Sequence, residues 1–533
     1  MSEASPKGRH RIRENIDALA IAVLMAVLMK YFAIEAHQIP TSSMQPTMMG
    51  SKVAGIYDRI LVDKSRYLLT EPKRFDIAVF HYPIRKSQNY VKRIVGMPGD
   101  VLRIGGGNIY VVREGGDPGR AADLDLPRRP ASVLAEQWRN LFPCRAELHG
   151  DTRILGTSFQ GSGGDWSESD GTLRFEPRSP TVRGTLRYVA ARDGGLVNRV
   201  YDGYPALVAK AMIDAGEVTR VEDLESVQDV RAAFTLTPQA GVPELRIEVE
   251  VNRSDDTRLT FALQAAGGEG RLIVERDRAE AAASEPFPLA LPAGVATRIR
   301  FTHVDDRCIA EVDGGVVAEL DCADFRSIDR LTPLPNTDRG SVFLRLTLRA
   351  DGPVAIDEPV VDRDLHYLPS SRPGPTAAVF HVPERHYFMM GDNTQQSVDS
   401  RDWTAITLGM DEAGRLVDPQ VDDGARALRG NLRAMDLTTT PDPDENPVPV
   451  IGADVVVFTD DAGEVWSLDG QVAMSPSQGP IYGQGSPWFT GADGEPWTPE
   501  HELVHFVPRE DIIGRPLVTF WPAWPWFRIG FVR

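Results

Sequence analysis

Cysteine is nearly missing from this chain: Cys144, Cys308 and Cys322 are the only three in 533 residues. So few thiols exclude a disulfide-stapled scaffold. Long apolar runs are scarce too, with a single one near the N-terminus, which excludes a multi-span membrane protein. Excess positive charge is also lacking. The formal net charge of -18 argues against a nucleic-acid binder that works by neutralising phosphates. With 42% hydrophobic and 25% charged residues, the chain is neither collagen-like nor wholly disordered. At ~100–200 residues per domain, its length suggests three or four units.

The charge is unevenly spread. Residues 1–110 hold 16 Lys/Arg against 9 Asp/Glu, whereas the other 423 hold 42 against 67. Lys7, Arg9, Arg11 and Arg13 precede an unbroken apolar run from Ala18 to Met29, which Tyr31-Phe32-Ala33-Ile34 extends past Lys30. Taken over 16–36 this segment is 21 residues long, about 31 Å as a helix. That length just spans a hydrocarbon core of ~30 Å, with Lys30 snorkelling its ammonium to the outer interface. Residues 16–36 are therefore expected to form one transmembrane helix. Basic residues before it place 1–15 in the cytoplasm as a short tail, and the remainder outside. A cleaved secretory signal is the alternative, since the 12-residue core is of suitable length, but no small-x-small cleavage site is evident.

Directly after the span stands Ile39-Pro40-Thr41-Ser42-Ser43-Met44-Gln45-Pro46-Thr47-Met48. Hydroxyls between prolines ordinarily mark a turn. Further on, Tyr90-Val91-Lys92-Arg93-Ile94-Val95-Gly96-Met97-Pro98-Gly99-Asp100 sets a lysine in an alternating strand pattern that ends at a Pro-Gly-Asp turn. A third segment reads Gly391-Asp392-Asn393-Thr394-Gln395-Gln396-Ser397-Val398-Asp399-Ser400-Arg401-Asp402-Trp403. A serine hydroxyl is a weak nucleophile and needs a neighbouring base. A lysine serves if burial holds it neutral, well below its usual value of ~10.4.

Together these three segments resemble the serine, lysine and Gly-Asp-Asn boxes of the type I signal peptidases, membrane-bound Ser–Lys proteases that remove signal peptides from exported proteins. The resemblance implies Ser43 as nucleophile, Lys92 as general base, and an oxyanion hole made by the Ser43 backbone N–H and the Thr41 hydroxyl. It implies that Ser397 orients the lysine amine and that Asp399 and Arg401 form a supporting ion pair. Ile39, Met44, Tyr90 and Val91 match positions lining the family's shallow substrate pockets, which implies cleavage after small residues. Three departures stand out: Thr41 replaces the usual serine, Phe75 replaces a usual glycine, and Thr394-Gln395-Gln396 replaces the commoner Arg-Asp-Asn. The residues alone do not choose between Ser42 and Ser43; the Met-x-Pro that follows does.

The protease-like segments are interrupted. About 270 residues separate the strand pattern Asn108–Val112 from His381–Phe388, far more than a loop. Within them Leu245, Ile247, Val249 and Val251 alternate with polar residues, as do Leu259, Phe261 and Leu263, and Val342, Leu344, Leu346 and Leu348. Residues 307–320 read as a hairpin around Asp313-Gly314-Gly315. With that turn Cys308 faces Glu319 or Asp321, so a Cys308–Cys322 disulfide is disfavoured unless a bulge shifts the register. The expected fold is mainly β: a signal-peptidase-like β catalytic domain, one N-terminal transmembrane helix, and an inserted β-sandwich of jelly-roll or concanavalin-like form. The divisions expected are a tail (1–15), a span (16–36), a first catalytic segment (37–112), a linker (113–145), the sandwich (146–365), a second catalytic segment (366–403), a second insertion (404–503) and a third catalytic segment (504–533).

His501-Glu502-Leu503-Val504-His505 matches the zinc-protease pattern, which requires a helix. Here Phe506-Val507-Pro508 resembles the start of a signal peptidase strand, and a strand holds the two histidines apart. No metal or other cofactor is expected. Tryptophans among Phe520–Gly530 suit either a membrane interface or the core. The expected function is removal of signal peptides at the cytoplasmic (inner) membrane, with signal peptides and the lipid bilayer as partners and no nucleic acid. The sandwich is expected to bind a glycan or protein, or to act as a spacer. The alternatives are a processing protease with restricted substrates, an anchored binding protein with a vestigial protease core, and a zinc protease using His501, Glu502 and His505.

Overall fold

The computed structural model describes residues 15–25, 33–142 (without 46 and 52–55), 154–192, 195–197, 200, 225–326 (without 254), 328, 339–369, 378–435 (without 395–396, 413–415 and 419–423), 455–521 (without 462–463, 468–471, 474–487, 491–495 and 498–500) and 530–532. The chain divides into two compact units, 1–99 with 382–533, and 100–381.

The first unit is built on an antiparallel sheet. Its strands run in the order Ile34–Gln38, Arg59–Asp63, Ile512–Trp521, Ile77–Tyr82, Arg85–Gly96, His386–Met390 and Val507–Pro508. The strand Ile77–Tyr82 is apolar at consecutive positions because both its faces are covered. Ile77 and Val79 pack with Ile39, Met44, Met48, Ile60 and Val62. Ala78 and Phe80, on the other face, pack with Tyr82, Ile94, Met389, Trp403 and Ile512. Period-two alternation thus splits one strand between two cores.

Residues 15–25 are helical, and Ile16, Leu19, Ile21, Val23, Leu24 and Met25 are each more than half exposed. Among the described residues no helix is long and apolar enough to cross a membrane. The helix expected over 16–36 does not reach its far end. Ile34–Gln38 is a strand paired with Arg59–Asp63, and Glu35 takes the Lys64 ammonium at 3.0 Å. Apolar length drew these residues into the helix; their pairing with an alternating partner strand wins. Residues 26–32, and Trp524 and Trp526 of the aromatic tail, lie outside the described residues.

The second unit carries a small sheet, ordered Ala378–His381, Val101–Gly105, Asn108–Val112 and Leu124–Asp125. Its larger part is a sandwich. One sheet runs Asp165–Ser169, Thr172–Glu176, Val354–Arg363, Val230–Pro238, Thr297–Val304, Arg307–Val312 and Gly315–Asp321. The other runs Phe159–Ser162, Arg183–Tyr188, Ser341–Arg349, Glu244–Asn252, Arg258–Ala266, Glu269–Arg276 and Ala279–Ala283. Inward residues of both sheets, among them Phe175, Phe234, Phe301, Leu245, Ile247, Phe261 and Leu346, share one core. The alternations expected from sequence are the inward rows of these strands.

The stretch 113–145, expected as a linker, carries the helix Ala131–Gln137 and the strand Arg139–Phe142, which pairs with Val354–Arg363. Nearby, the buried Arg129 guanidinium binds Asp305 and Asp364 and donates to Gln137 at 2.9 Å. Within the second insertion, Thr404–Met410, Arg426–Met435, Val455–Asp460 and Val465–Ser467 form an antiparallel sheet. Residues 436–454 of this insertion lie outside the described residues.

Candidate active site

The site forms where a turn, a strand and a loop meet. Ser42–Met44 is one turn of 3-10 helix, entered from extended Thr41 and left through extended Gln45. Short polar residues favour such a turn over a longer helix. Its flanks are fixed: Ile39 N donates to Asp58 O at 2.9 Å, Met49 N to the buried Asp58 carboxylate at 2.7 Å, and Gln45 Nε2 to Gly50 O at 2.8 Å. Gly50 has no room for a side chain, since a Cβ would lie 2.5 Å from Ile39 O and 2.6 Å from Thr41 O. Ser43 is buried, and its Oγ lies 3.3 Å from Thr41 Oγ1.

The strand Arg85–Gly96 passes beside this turn and carries Lys92, whose residue is only 2% exposed. Lys92 Nζ donates to Ser397 Oγ at 3.1 Å. Among the described residues no hydrogen bond joins it to Ser43 Oγ, and no carboxylate lies within ion-pair distance. Burial drives the Lys92 ammonium down to about 8, against the pull of Asp399 and with the push of Arg401.

The loop that follows His386–Met390 completes the arrangement. Asn393 N donates to Ser43 O and Asn393 Nδ2 to Ser42 O, each at 3.1 Å. Asp399 accepts from Gly391 N at 3.0 Å and from Arg401 Nε at 2.7 Å and Nη2 at 2.8 Å. Burial pushes the Asp399 carboxyl up, but the Arg401 guanidinium outweighs it and holds the group below the usual range. Gly391 is the point of closest approach: a Cβ there would sit 2.2 Å from Ser397 Oγ and 2.3 Å from Ser43 O. Gly391→Ala should therefore displace both groups and lower turnover at this site by about 100-fold or more, as checked by reaction rate on folded, monodisperse protein.

Thr41, Ser43, Lys92, Ser397, Asp399 and Arg401 are thus neighbours. The four residues matched to substrate pockets are not all together. Ile39, Met44 and Val91 share one apolar cluster. Tyr90 stands on the opposite face of its strand, stacked on Tyr82 at 4.4 Å and edge-on to Trp403 at 6.1 Å.

Sequence reasoning missed the pair behind the lysine. Arg93, one residue on from Lys92, faces the other way and binds Asp392 through Nε at 2.8 Å and Nη2 at 2.7 Å. Thr47 Oγ1 also donates to Asp392, and Arg93 Nη1 donates to Phe75 O at 2.8 Å. Phe75 adopts φ 72°, a left-handed conformation that favours glycine. Its ring is nevertheless buried. Arg93 and Asp392 each lie inside one of the three boxes, but nothing in one sequence joins them.

The zinc pattern does not lie on the helix it requires. His501–Leu503 is a strand paired with Thr404–Ile406. The exposed Glu502 takes Arg429 at 2.7 Å, and His505 Nδ1 contacts Ser400 O. Elsewhere among the described residues the ligand atoms of Asp229, Asp305 and Asp364 cluster within 4.8 Å, but the Arg129 guanidinium already neutralises two of them.

The site thus sets a buried serine, on its turn, beside the strand of a buried lysine, inside a β-rich unit. The family model for signal peptidase, peptidase S26, matches residues 12–132 and 349–413. Probable signal peptidase I-2 of Synechocystis sp. is 39% identical over 98 residues, covering 17% of this chain and 42% of its own length. Signal peptidase I of Leptolyngbya laminosa is 32% identical over 115 residues, covering 20% of this chain and 54% of its own. The chain spans about half the length of these curated relatives. Over these segments it is similar to the type I signal peptidases. A carbohydrate-binding module, CBM66 from Bacillus subtilis, aligns with 39% of this chain and 96% of its own at 8% identity and a TM-score of 0.23, a score at which neither fold nor ligand transfers.

Proposed function

We propose that this chain is a membrane-bound serine endopeptidase that removes N-terminal signal peptides from exported preproteins, cutting after small residues. The observation that carries the reading is the Lys92 amine, buried without a carboxylate partner and held at about 8 beside the turn that bears Ser43. In the proposed reaction the neutral Lys92 amine takes the proton from Ser43 Oγ, which attacks the scissile carbonyl carbon. The oxyanion is held by the Ser43 N–H and the Thr41 hydroxyl. Collapse expels the amine product, which receives the proton from the Lys92 ammonium; water, deprotonated by Lys92, then releases the acyl group. Ser397 positions the amine, and Asp399 with Arg401 fixes the loop that holds Ser397. Ile39, Met44 and Val91, which share one cluster, bound the substrate pocket, and Tyr90 on the other face of its strand stands apart from it.

Because the base must be neutral, kcat/KM of the free enzyme is expected to rise about tenfold per pH unit below about 8 and to level off above it. The same shift bears on stability. Lys92 binds its proton less tightly folded than unfolded, so stability rises with pH between about 8 and the unfolded value of ~10.5. A pH–rate profile on a preprotein with alanine before the cleavage site checks the first; denaturant midpoints across that window check the second. A flat profile through pH 8 would sink the lysine-base reading. A chelator is expected to leave the rate unchanged, and loss of activity on chelation would revive the metal reading.

The basic residues 7–13 and the exposed apolar helix 15–25 support an anchor in the cytoplasmic membrane, with both units outside. Exposed Leu517, Trp521 and Phe531 support a second contact with lipid. Recovery of the full chain in carbonate-washed membranes, and digestion of both units by protease added to spheroplasts, tests this topology. The sandwich is assigned a spacer or docking role. On its sheet around Glu244–Asn252 the outward charges are paired with each other: Arg246 with Glu275 at 2.8 Å, and Arg345 with Glu248 and Glu250 at 3.0 and 2.8 Å.

A further inference from the structure

The hairpin Arg307–Val312 and Gly315–Asp321 turns at Asp313-Gly314, both at positive φ. Its register is not the regular one. A bulge between Ala310 and Glu311 sets Cys308 opposite Leu320 and Arg307 opposite Asp321. This is the shift that removes the sequence argument against a bridge. Cys322, two residues beyond Leu320, points to the same side as it does. Its Sγ comes to 3.5 Å from Cys308 Sγ, with both residues fully buried in the sandwich core. Both cysteines are free in this structure.

The place where they meet has a structural need. Among the described residues Gly315–Asp321 is the last strand of its sheet and pairs on one side only. Val316 is 59% exposed and Val317 38%. An exposed apolar edge is a template for pairing with another chain. A covalent tie between Cys322, at the end of this strand, and Cys308, on its neighbour, stops it peeling away.

We propose that Cys308 and Cys322 form a disulfide that staples the edge strand of the sandwich. The proposal rests on the reading that this unit lies outside the cytoplasm, where such bonds persist. The chemistry is thiol–disulfide exchange with a disulfide-bearing oxidant, an oxidoreductase or glutathione disulfide. Before the core closes over it, the Cys322 thiolate attacks one sulfur of the oxidant, and the other sulfur leaves as a thiolate. The Cys308 thiolate then attacks Cys322 Sγ of the mixed disulfide and expels the oxidant's remaining sulfur. Two thiols lose two protons and two electrons, and the oxidant's disulfide becomes two thiols. Cys322 is suited to the first attack. The neighbouring Cys308 thiol lowers its pKa, against burial, and His303 adds to the lowering. Burial pushes Cys308 up, which suits it to act second, once the mixed disulfide has formed.

The test uses the full chain, trapped from cells in acid, unfolded with excess maleimide and no reductant, and mapped by mass. The expected result is a labelled Cys144, with Cys308 and Cys322 unlabelled and recovered in one linked peptide until reductant is added. Reductant should also lower the sandwich Tm by roughly 6–12 °C, while a Cys308→Ala/Cys322→Ala double variant should show no such sensitivity. Maleimide on both Cys308 and Cys322 overturns the proposal, and protease added to spheroplasts tells which premise failed. If the sandwich is digested, it lies outside and the pairing itself is wrong. If it is protected, the topology is wrong and the staple falls with it.

Discussion

Ser43→Ala and Lys92→Ala are each expected to abolish preprotein cleavage, lowering kcat/KM by about 10⁴-fold or more. The double variant should be no worse than either single, because a nucleophile without its base and a base without its nucleophile fail at the same step. Ser43→Ala removes one oxygen and should leave the unfolding transition where it is. Lys92→Met is the sharper control. It keeps the length and volume of the buried side chain but not the amine, so it should be inactive yet at least as stable as the parent at neutral pH. Removing a buried, ion-unpaired amine removes a desolvation cost. Cleavage by either single alanine variant at the parental rate would end the proposed mechanism. Retained cleavage with Ser42→Ala, against none with Ser43→Ala, would separate the two adjacent hydroxyls that sequence chemistry alone leaves equivalent.

The second large effect is expected behind the site. Arg93→Ala or Asp392→Ala leaves one member of a fully buried pair without its partner, and such losses cost about 3–5 kcal/mol. Asp392→Ala should be the more damaging for activity. Asp392 takes Thr47 as well as Arg93, and the next residue, Asn393, holds the Ser42 and Ser43 carbonyls. Calorimetry of the variants should show the first unit melting early while the sandwich transition stays put. Replacing both residues with apolar side chains, Arg93→Met with Asp392→Leu, should recover some of the stability, since neither charge is then stranded. A single variant that melts with the parent would mean that the pair contributes little.

How legible all this was in the sequence depends on the range of the interaction. The inward row Leu245, Ile247, Val249 and Val251 could be read because strand alternation is local. The three boxes could be read because each is a short run with its own chemistry. Contacts across the chain could not. Arg93 meets Asp392 across 299 positions, and the need for glycine at 391 arises only when Ser43 and Ser397 close in from separate segments. The bulge at Ala310 and Glu311 was also hidden, since a hairpin turn sets only the default register. Ile34–Ala36 misled for a related reason: hydropathy cannot distinguish the end of an apolar helix from an edge strand whose partner, Arg59–Asp63, lies well downstream. Phe75 stands where the resemblance leads one to expect glycine, and its backbone adopts the left-handed conformation that favours glycine.

The pairing of Val101–Gly105 with Ala378–His381 has a consequence for biogenesis. Those strands bring the entry and exit of the long insertion side by side, and Gly99 N already reaches Val382 O at 3.1 Å. Once folded, Asp100–His381 behaves as a wide hairpin turn, so the protease segments on either side meet at little entropic expense. It also sets a clock. Ser43 and Lys92 emerge early from the ribosome, but Ser397, Asp399 and Arg401 are made only after the whole sandwich has been synthesised. In a nascent or truncated chain the proposed pair of Ser43 and Lys92 therefore has nothing to align it until residues 397–401 have been made.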